Sequence, residues 1–180
     1  ATTRCRIVSE HGWADLVGPT VCRTLTPDEV AVVRGKLGPD PLNADADPGQ
    51  FYRAAAKSSR PIGVILMDQA AISGVGNIFR AESLYRQKID PLRPGKTLSD
   101  DELRRLWDDN KHLLTIGVRV GRIITTEQQD RPGIPETEAW PDHANYVYMR
   151  HGQKCPRCSA TIRMEEIAGR KLYWCPGCQK

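Results

Sequence analysis

Apolar positions along this chain change their period several times. Two short β-like runs come first, Arg6-Ile7-Val8 and Thr20-Val21-Cys22, separated by Gly12 and Gly18-Pro19. From residue 26 the period becomes helical. Thr26-Pro27-Asp28-Glu29 joins a capping hydroxyl, a proline suited to the first helical position and a glutamate that completes a capping box. This predicts a helix to about Lys36, stopped by Gly38-Pro39-Asp40-Pro41. Residues 39–48 are rich in Pro and Asp and predict a loop. Residues 49–58 predict a short helix with Phe51, Ala54 and Ala55 on one face, and Pro61 opens a third helix to about Gln69.

A glycine turn, Ile72 to Asn77, precedes a fourth helix from Ile78 to about Gln87, with Ile78, Ala81, Leu84 and Tyr85 at helical spacing. Pro91 and Pro94-Gly95 end it. Ser99-Asp100-Asp101-Glu102 is a second capping box, opening the longest helix, whose stripe is Leu103, Leu106, Trp107, Leu113, Leu114 and Val118. Residues 126–144 hold three prolines and no periodicity, and predict a long loop. After Tyr146 the pattern turns β-like and rich in cysteine.

The expected architecture is a mainly α-helical domain over 26–125, a loop over 126–144 and a small β-hairpin unit over 145–180. Two short strands are too few for a stable sheet. Residues 1–25 therefore read as the tail of a larger β-structure that begins upstream.

Composition narrows the class. The chain has 180 residues, 39% of them hydrophobic, enough for one core and a small appendage. No apolar run approaches the roughly 20 residues of a membrane helix. The opening Ala1-Thr2-Thr3-Arg4-Cys5-Arg6 has no signal-peptide pattern, so a cytoplasmic, membrane-free protein is expected. Residues 145–180 carry seven Lys/Arg against two Asp/Glu, whereas 1–144 are nearly balanced. A basic patch confined to one end suits contact with phosphate, and equally a solvated tail.

Four of the six cysteines form two Cys-x-x-Cys pairs, Cys155/Cys158 and Cys175/Cys178, separated by sixteen residues. Paired thiolates at the two ends of a hairpin can close a tetrahedron around zinc. Thr161-Ile162-Arg163-Met164 and Lys171-Leu172-Tyr173-Trp174 read as the two strands, with Gly169 in the turn. Four protein ligands leave no open position, so one structural zinc is expected. A redox dithiol is the competing reading, without the βαβ pattern such sites sit on.

Such a ribbon can display Arg163, Arg170 and Lys171 stiffly, toward DNA, RNA or a protein, or can simply staple a fold. Gly74-Val75-Gly76-Asn77 could let a phosphate approach a helix N-terminus capped by Asn77, or could be a plain turn between helices.

Together these features resemble one family. Met67-Asp68-Gln69-Ala70-Ala71-Ile72-Ser73-Gly74-Val75-Gly76-Asn77-Ile78-Phe79-Arg80-Ala81-Glu82 is similar to the helix–two-turn–helix of formamidopyrimidine-DNA glycosylase and endonuclease VIII, with Leu37-Gly38-Pro39-Asp40-Pro41-Leu42 before it and Ile89-Asp90-Pro91 after it. Tyr148-Met149-Arg150-His151-Gly152 and Gly169-Arg170-Lys171-Leu172-Tyr173-Trp174-Cys175-Pro176-Gly177-Cys178-Gln179 resemble that family's zinc finger. The resemblance covers about residues 20–180. It implies that Asn77, with Gly74 and Gly76, contacts phosphates beside a lesion. It implies that Arg170, with Lys171 next to it, grips phosphate at the flipped-out nucleotide. Cys155, Cys158, Cys175 and Cys178 match the zinc ligands, and Glu82 matches an acidic residue with a network role.

The family's nucleophile is an N-terminal proline amine, backed by a glutamate. A chain starting Ala1-Thr2-Thr3 has neither, nor the family's N-terminal β-sandwich, so no catalytic residue is expected among these 180. The resemblance implies a monomeric, DNA-binding part of a bifunctional glycosylase/AP lyase that excises oxidised bases from duplex DNA. The alternatives are a non-catalytic, zinc-dependent DNA-binding module and a zinc-ribbon protein adaptor.

Overall fold

The computed structural model describes residues 2–180, and the chain forms two compact units, Ala1–Lys36 and Leu37–Lys180. The first unit holds β1 (Thr3–Ser9), β2 (Gly12–Val17) and α1 (Pro27–Arg34). β1 and β2 pair antiparallel, with Val8 opposite Trp13 and Arg6 opposite Asp15. Arg6 grips Asp15 through two hydrogen bonds of 2.7 Å and lies over the Trp13 ring. Ile7, Val8, Trp13, Leu16 and Val17 are all exposed, so the apolar side chains of this ribbon are left uncovered. The expected run Thr20–Cys22 is not a strand: Gly18, at φ +66°, carries the chain away from the hairpin, and no strand follows before α1.

α1 starts as the capping box requires, with Thr26 and Glu29 bonded reciprocally. It falls in the first unit, so the compact boundary lies at Lys36/Leu37, eleven residues beyond the expected 25/26 division.

The second unit contains α2 (Gly49–Ala56), α3 (Ile62–Ile65), α4 (Asn77–Arg86), α5 (Asp100–Val120), β3 (Arg163–Ile167) and β4 (Arg170–Trp174). One core joins Phe51 and Ala55 of α2, Ile62 and Ile65 of α3, Phe79 and Leu84 of α4, and Leu103, Leu106, Trp107, Leu113 and Leu114 of α5. Val118, expected on the α5 stripe, is exposed, because the covered part of the helix ends a turn earlier.

A second cluster packs Ala81 and Tyr85 of α4 against Tyr146, Val147, Cys155, Ile162, Tyr173 and Cys175. α4 is thus wedged between two apolar clusters, and every residue from Phe79 to Tyr85 is buried. A helix covered all round acts as a fixed post, and the site is built at its N-terminal tip.

α3 stops four residues before the expected Gln69. Side chains that follow it offer the backbone other partners. Asp68 accepts from the Ala70 amide at 3.1 Å, and Gln69 closes the next turn by accepting from the Gly74 amide and donating to the Val75 carbonyl, both at 3.0 Å. The connection over 126–144 includes 3₁₀ turns at Gln128–Asp130 and Glu136–Glu138. Arg157 ties it down by pairing with Asp130 at 2.7 Å and Glu127 at 3.2 Å. Among the described residues no helix is long and apolar enough to cross a membrane.

Candidate metal centre and nucleic-acid interface

β3 and β4 pair antiparallel from Arg163 opposite Trp174 to Ile167 opposite Arg170. The turn between them, Ala168-Gly169, has φ of +52° and +71°, the two consecutive positive values a tight hairpin turn demands. The two Cys-x-x-Cys segments flank this ribbon and converge. All four sulfurs of Cys155, Cys158, Cys175 and Cys178 lie within 4.8 Å of one another, and the cysteines are unbridged. Cys155 and Cys178 are 3.8 Å apart, and Cys158 and Cys175 3.3 Å. A tetrahedron with Zn–S near ~2.3 Å has edges of roughly 3.8 Å, so the donor set fits one zinc ion.

Gly177 makes room: a Cβ there would meet the Cys158 sulfur at 2.7 Å. Gln179 accepts from the Cys175 amide at 2.8 Å and donates to the Ile89 carbonyl at 3.0 Å, locking the second pair to the chain after α4. The Cys155 thiol is drawn down to about 7: burial raises it, but the Tyr85 hydroxyl and the amides of Arg157 and Cys158 outweigh that. Burial and the neighbouring sulfur of Cys158 push Cys175 and Cys178 upward.

β4 lies against α4, and the two meet at Asn77. Asn77 is not the cap of α4; it is its first helical residue, and the capping position belongs to Gly76, which has no side chain to use. The first-turn amides of a ten-residue helix therefore have no side-chain acceptor, leaving an electropositive tip.

The Asn77 carboxamide is engaged elsewhere. Its Nδ2 donates to the Lys171 carbonyl at 3.0 Å, and its Oδ1 accepts from Arg80. Arg80 donates to the same Lys171 carbonyl at 3.1 Å. The helix tip and the zinc ribbon are therefore stitched together at β4, one residue beyond Arg170. Arg170 and Lys171 are exposed there. Arg80 is held down to about 10 by burial and by the charge of Arg170, so the two guanidinium groups share one field.

Of the glycines, Gly74 is exposed at φ +84° and needs its glycine freedom, whereas Gly76 has an ordinary negative φ of −106°. A Cβ at Gly76 would meet nothing within 4 Å, so this backbone faces open space.

Glu82, fully buried, receives four donors. The amides of Val147 and Tyr148 reach one oxygen at 2.8 and 2.7 Å; the amide of Tyr146 and the Thr125 hydroxyl reach the other at 2.8 and 2.6 Å. Burial pushes its carboxyl upward, and the four donors oppose that by favouring the ionised form. Glu82 thus moors the segment that leads into the metal centre.

Of the basic tail, Arg157 is consumed by Glu127 and Asp130 and stacks on Tyr146. Arg150 serves the carbonyls of Asn145, Tyr146 and Lys154. Lys154, Arg163, Arg170, Lys171 and Lys180 remain exposed. Sequence reasoning passed over Arg80, Gln69 and Arg157. Arginine inside the apolar pattern of a helix, at Arg80, was the available signal for the first.

Residues 37–129 match the family model described as the formamidopyrimidine-DNA glycosylase H2TH domain, and residues 152–180 match the zinc finger found in FPG and IleRS. The chain belongs to the formamidopyrimidine-DNA glycosylase H2TH family. It is 44% identical over 177 residues to "Endonuclease 8 1" of Mycobacterium tuberculosis, covering 98% of this chain and 65% of the relative. It is 38% identical over 150 residues to "Formamidopyrimidine-DNA glycosylase" of Thermus thermophilus, covering 80% of this chain and 54% of that protein. The chain therefore spans between about half and two thirds of the curated relatives' length. Among solved structures it is similar to the Lactococcus lactis Fpg in complex with abasic-site DNA, with a TM-score of 0.68 and 28% identity over 87% of this chain and 57% of that one. The L. lactis FPG mutant G226P bound to Fapy-dG DNA gives a TM-score of 0.70 with 30% identity, over 87% of this chain and 57% of that one.

Proposed function

We propose that this chain is the DNA-gripping, zinc-bearing part of a bifunctional DNA glycosylase/AP lyase that excises oxidised bases from duplex DNA. The observation that carries the reading is the hydrogen bond from Asn77 to the Lys171 carbonyl, which sets a helix tip and a metal-held arginine hairpin side by side. Donors on a helix N-terminus and an exposed arginine one residue away make a clamp for a sugar–phosphate backbone. The solved relatives are DNA complexes, one of them with an abasic site.

In this reading α3, the turns after it and α4 are the helix–two-turn–helix, Asn77, Gly74, Gly76, Arg170 and Lys171 face the phosphates, and the four cysteines hold one structural zinc. Residues 145–180 act as a unit with 37–125, and 126–144 bridge them. The exposed apolar ribbon β1–β2 is the margin of a β-rich domain that carries the proline nucleophile in the parent enzyme. The 180 residues by themselves bind DNA and leave it uncut, as a monomer. The zinc orders the ribbon and takes no part in chemistry.

The test is affinity of the zinc-loaded chain for a duplex bearing an abasic-site analogue, measured across a range of salt concentrations. The expected result is binding that weakens steeply with salt. Arg170→Ala is expected to lose about tenfold, the scale of one charge-assisted phosphate contact. Affinity indifferent to salt and to Arg170→Ala would remove the reading.

A further inference from the structure

Arg80 is only 1% exposed, yet its partners are all neutral oxygens: the carbonyls of Gly63 at 3.4 Å and Lys171 at 3.1 Å, and Oδ1 of Asn77. Its Nε has no partner at all. A buried cation without a carboxylate is costly, and proteins keep such groups where function requires them. Arg131, 5% exposed, also meets only neutral oxygens, the carbonyls of Thr126 and Ile134 and Oε1 of Gln128, but none of its nitrogens is both buried and without a partner. The half-buried Arg86 pairs with Asp109 at 2.9 Å.

The location is equally specific. Arg80 sits one helical turn behind the uncapped tip of α4, touching both halves of the clamp, and its charge is depressed first by burial and then by Arg170. The positive charge of Arg170 thus acts on Arg80 at the same end of the helix. Through Asn77 Oδ1, Arg80 also fixes which way the carboxamide faces, leaving one N–H of Nδ2 beyond the bond to Lys171 for an outside acceptor.

We propose that Arg80 is a positioning residue of the clamp, whose missing counter-ion is the DNA phosphate held between Asn77 and Arg170. This rests on the DNA-gripping reading above and adds a residue to it. Arg80 does not touch the phosphate; it orients Asn77 and supplies a fixed positive charge behind it. The arrangement exchanges stability of the free protein for affinity, so DNA binding and folding should respond to Arg80 in opposite directions.

The experiment compares R80Q, R80K and R170A with the native chain, all zinc-loaded. It measures zinc content, Tm without DNA, and the salt dependence of affinity for the abasic-analogue duplex. R80Q is expected to keep its zinc, melt at or above the native temperature, bind about tenfold more weakly and show a log–log salt slope shallower than the native one, by less than the ~0.9 of a direct phosphate contact. R80K, which keeps the charge, should retain the native slope. An unchanged slope in R80Q, or equal losses of slope in R80Q and R80K, would overturn the proposal. So would zinc loss or a lower Tm in both variants, which would make Arg80 a structural staple. R170A separates the two levels: if it binds as the native chain does, the DNA reading itself fails, whereas loss in R170A alone rejects only the role of Arg80.

Discussion

At the residue scale, the molecule turns on side chains that serve backbone groups far away in sequence. Glu82, itself fully buried, receives three amides and a hydroxyl from residues 125 and 146–148. An acceptor removed there leaves donors unpaired at about 1–3 kcal/mol each. Glu82→Gln, equal in size, turns one acceptor oxygen into a donor facing donors. Chemical denaturation should show a loss of about 3 kcal/mol, with the zinc released at lower denaturant than in the native chain. A loss under about 0.5 kcal/mol, the range of an ordinary surface change, would contradict the mooring role. Glu82 and Asn77 were visible in the sequence through resemblance, yet neither partner set was. The Lys171 carbonyl that Asn77 meets lies 94 residues away, and no local pattern encodes a backbone acceptor at that distance. Arg80 was missed for the related reason that a charged residue on a helix reads as solvated until both flanks of the helix are known to be covered.

At the element scale, local chemistry predicted starts better than stops. Both capping boxes form as read, because all their partners lie within four residues. The end of α3 and the first residue of α4 shifted, since Asp68 and Gln69 rewire the turn through side chains. The paired cysteines were fully legible: metal geometry constrains spacing tightly, and the four sulfurs converge as the two Cys-x-x-Cys units required.

The start of α5 carries a pH dependence. Glu102 caps Ser99 and pairs with Arg93 at 2.7 and 3.1 Å, and the Arg93 contact leads in holding its carboxyl down to about 2, from an ordinary 4.5. A depressed carboxyl adds stability that is complete above the ordinary value and fades as pH falls through the depressed one. Tm of the native chain should therefore decline between about pH 4.5 and 2, and Glu102→Gln should flatten part of that decline while lowering Tm at neutral pH. Parallel pH profiles for the two proteins would count against this pair.

At the scale of the whole molecule, the chain is two compact units, and among the described residues the buried apolar clusters lie in the second. The boundary at Lys36 escaped notice because α1 is well capped and looks like part of the helical run. The net positive charge of the last 36 residues overstated the binding surface, since Arg150 and Arg157 hold the structure together. What survives is a smaller cationic set centred on Arg170 and Lys171, fixed to the tip of α4 by Asn77.

That union of helix tip and zinc hairpin on one phosphate run is the central claim, and a double-mutant cycle of Asn77→Ala and Arg170→Ala on abasic-analogue duplex binding tests it most directly. If both residues hold the same stretch of backbone, the double variant should bind little worse than the weaker single one, giving a coupling of at least about 0.5 kcal/mol. Losses that simply multiply, or single variants that bind as the native chain does, would show that the two do not act on one strand.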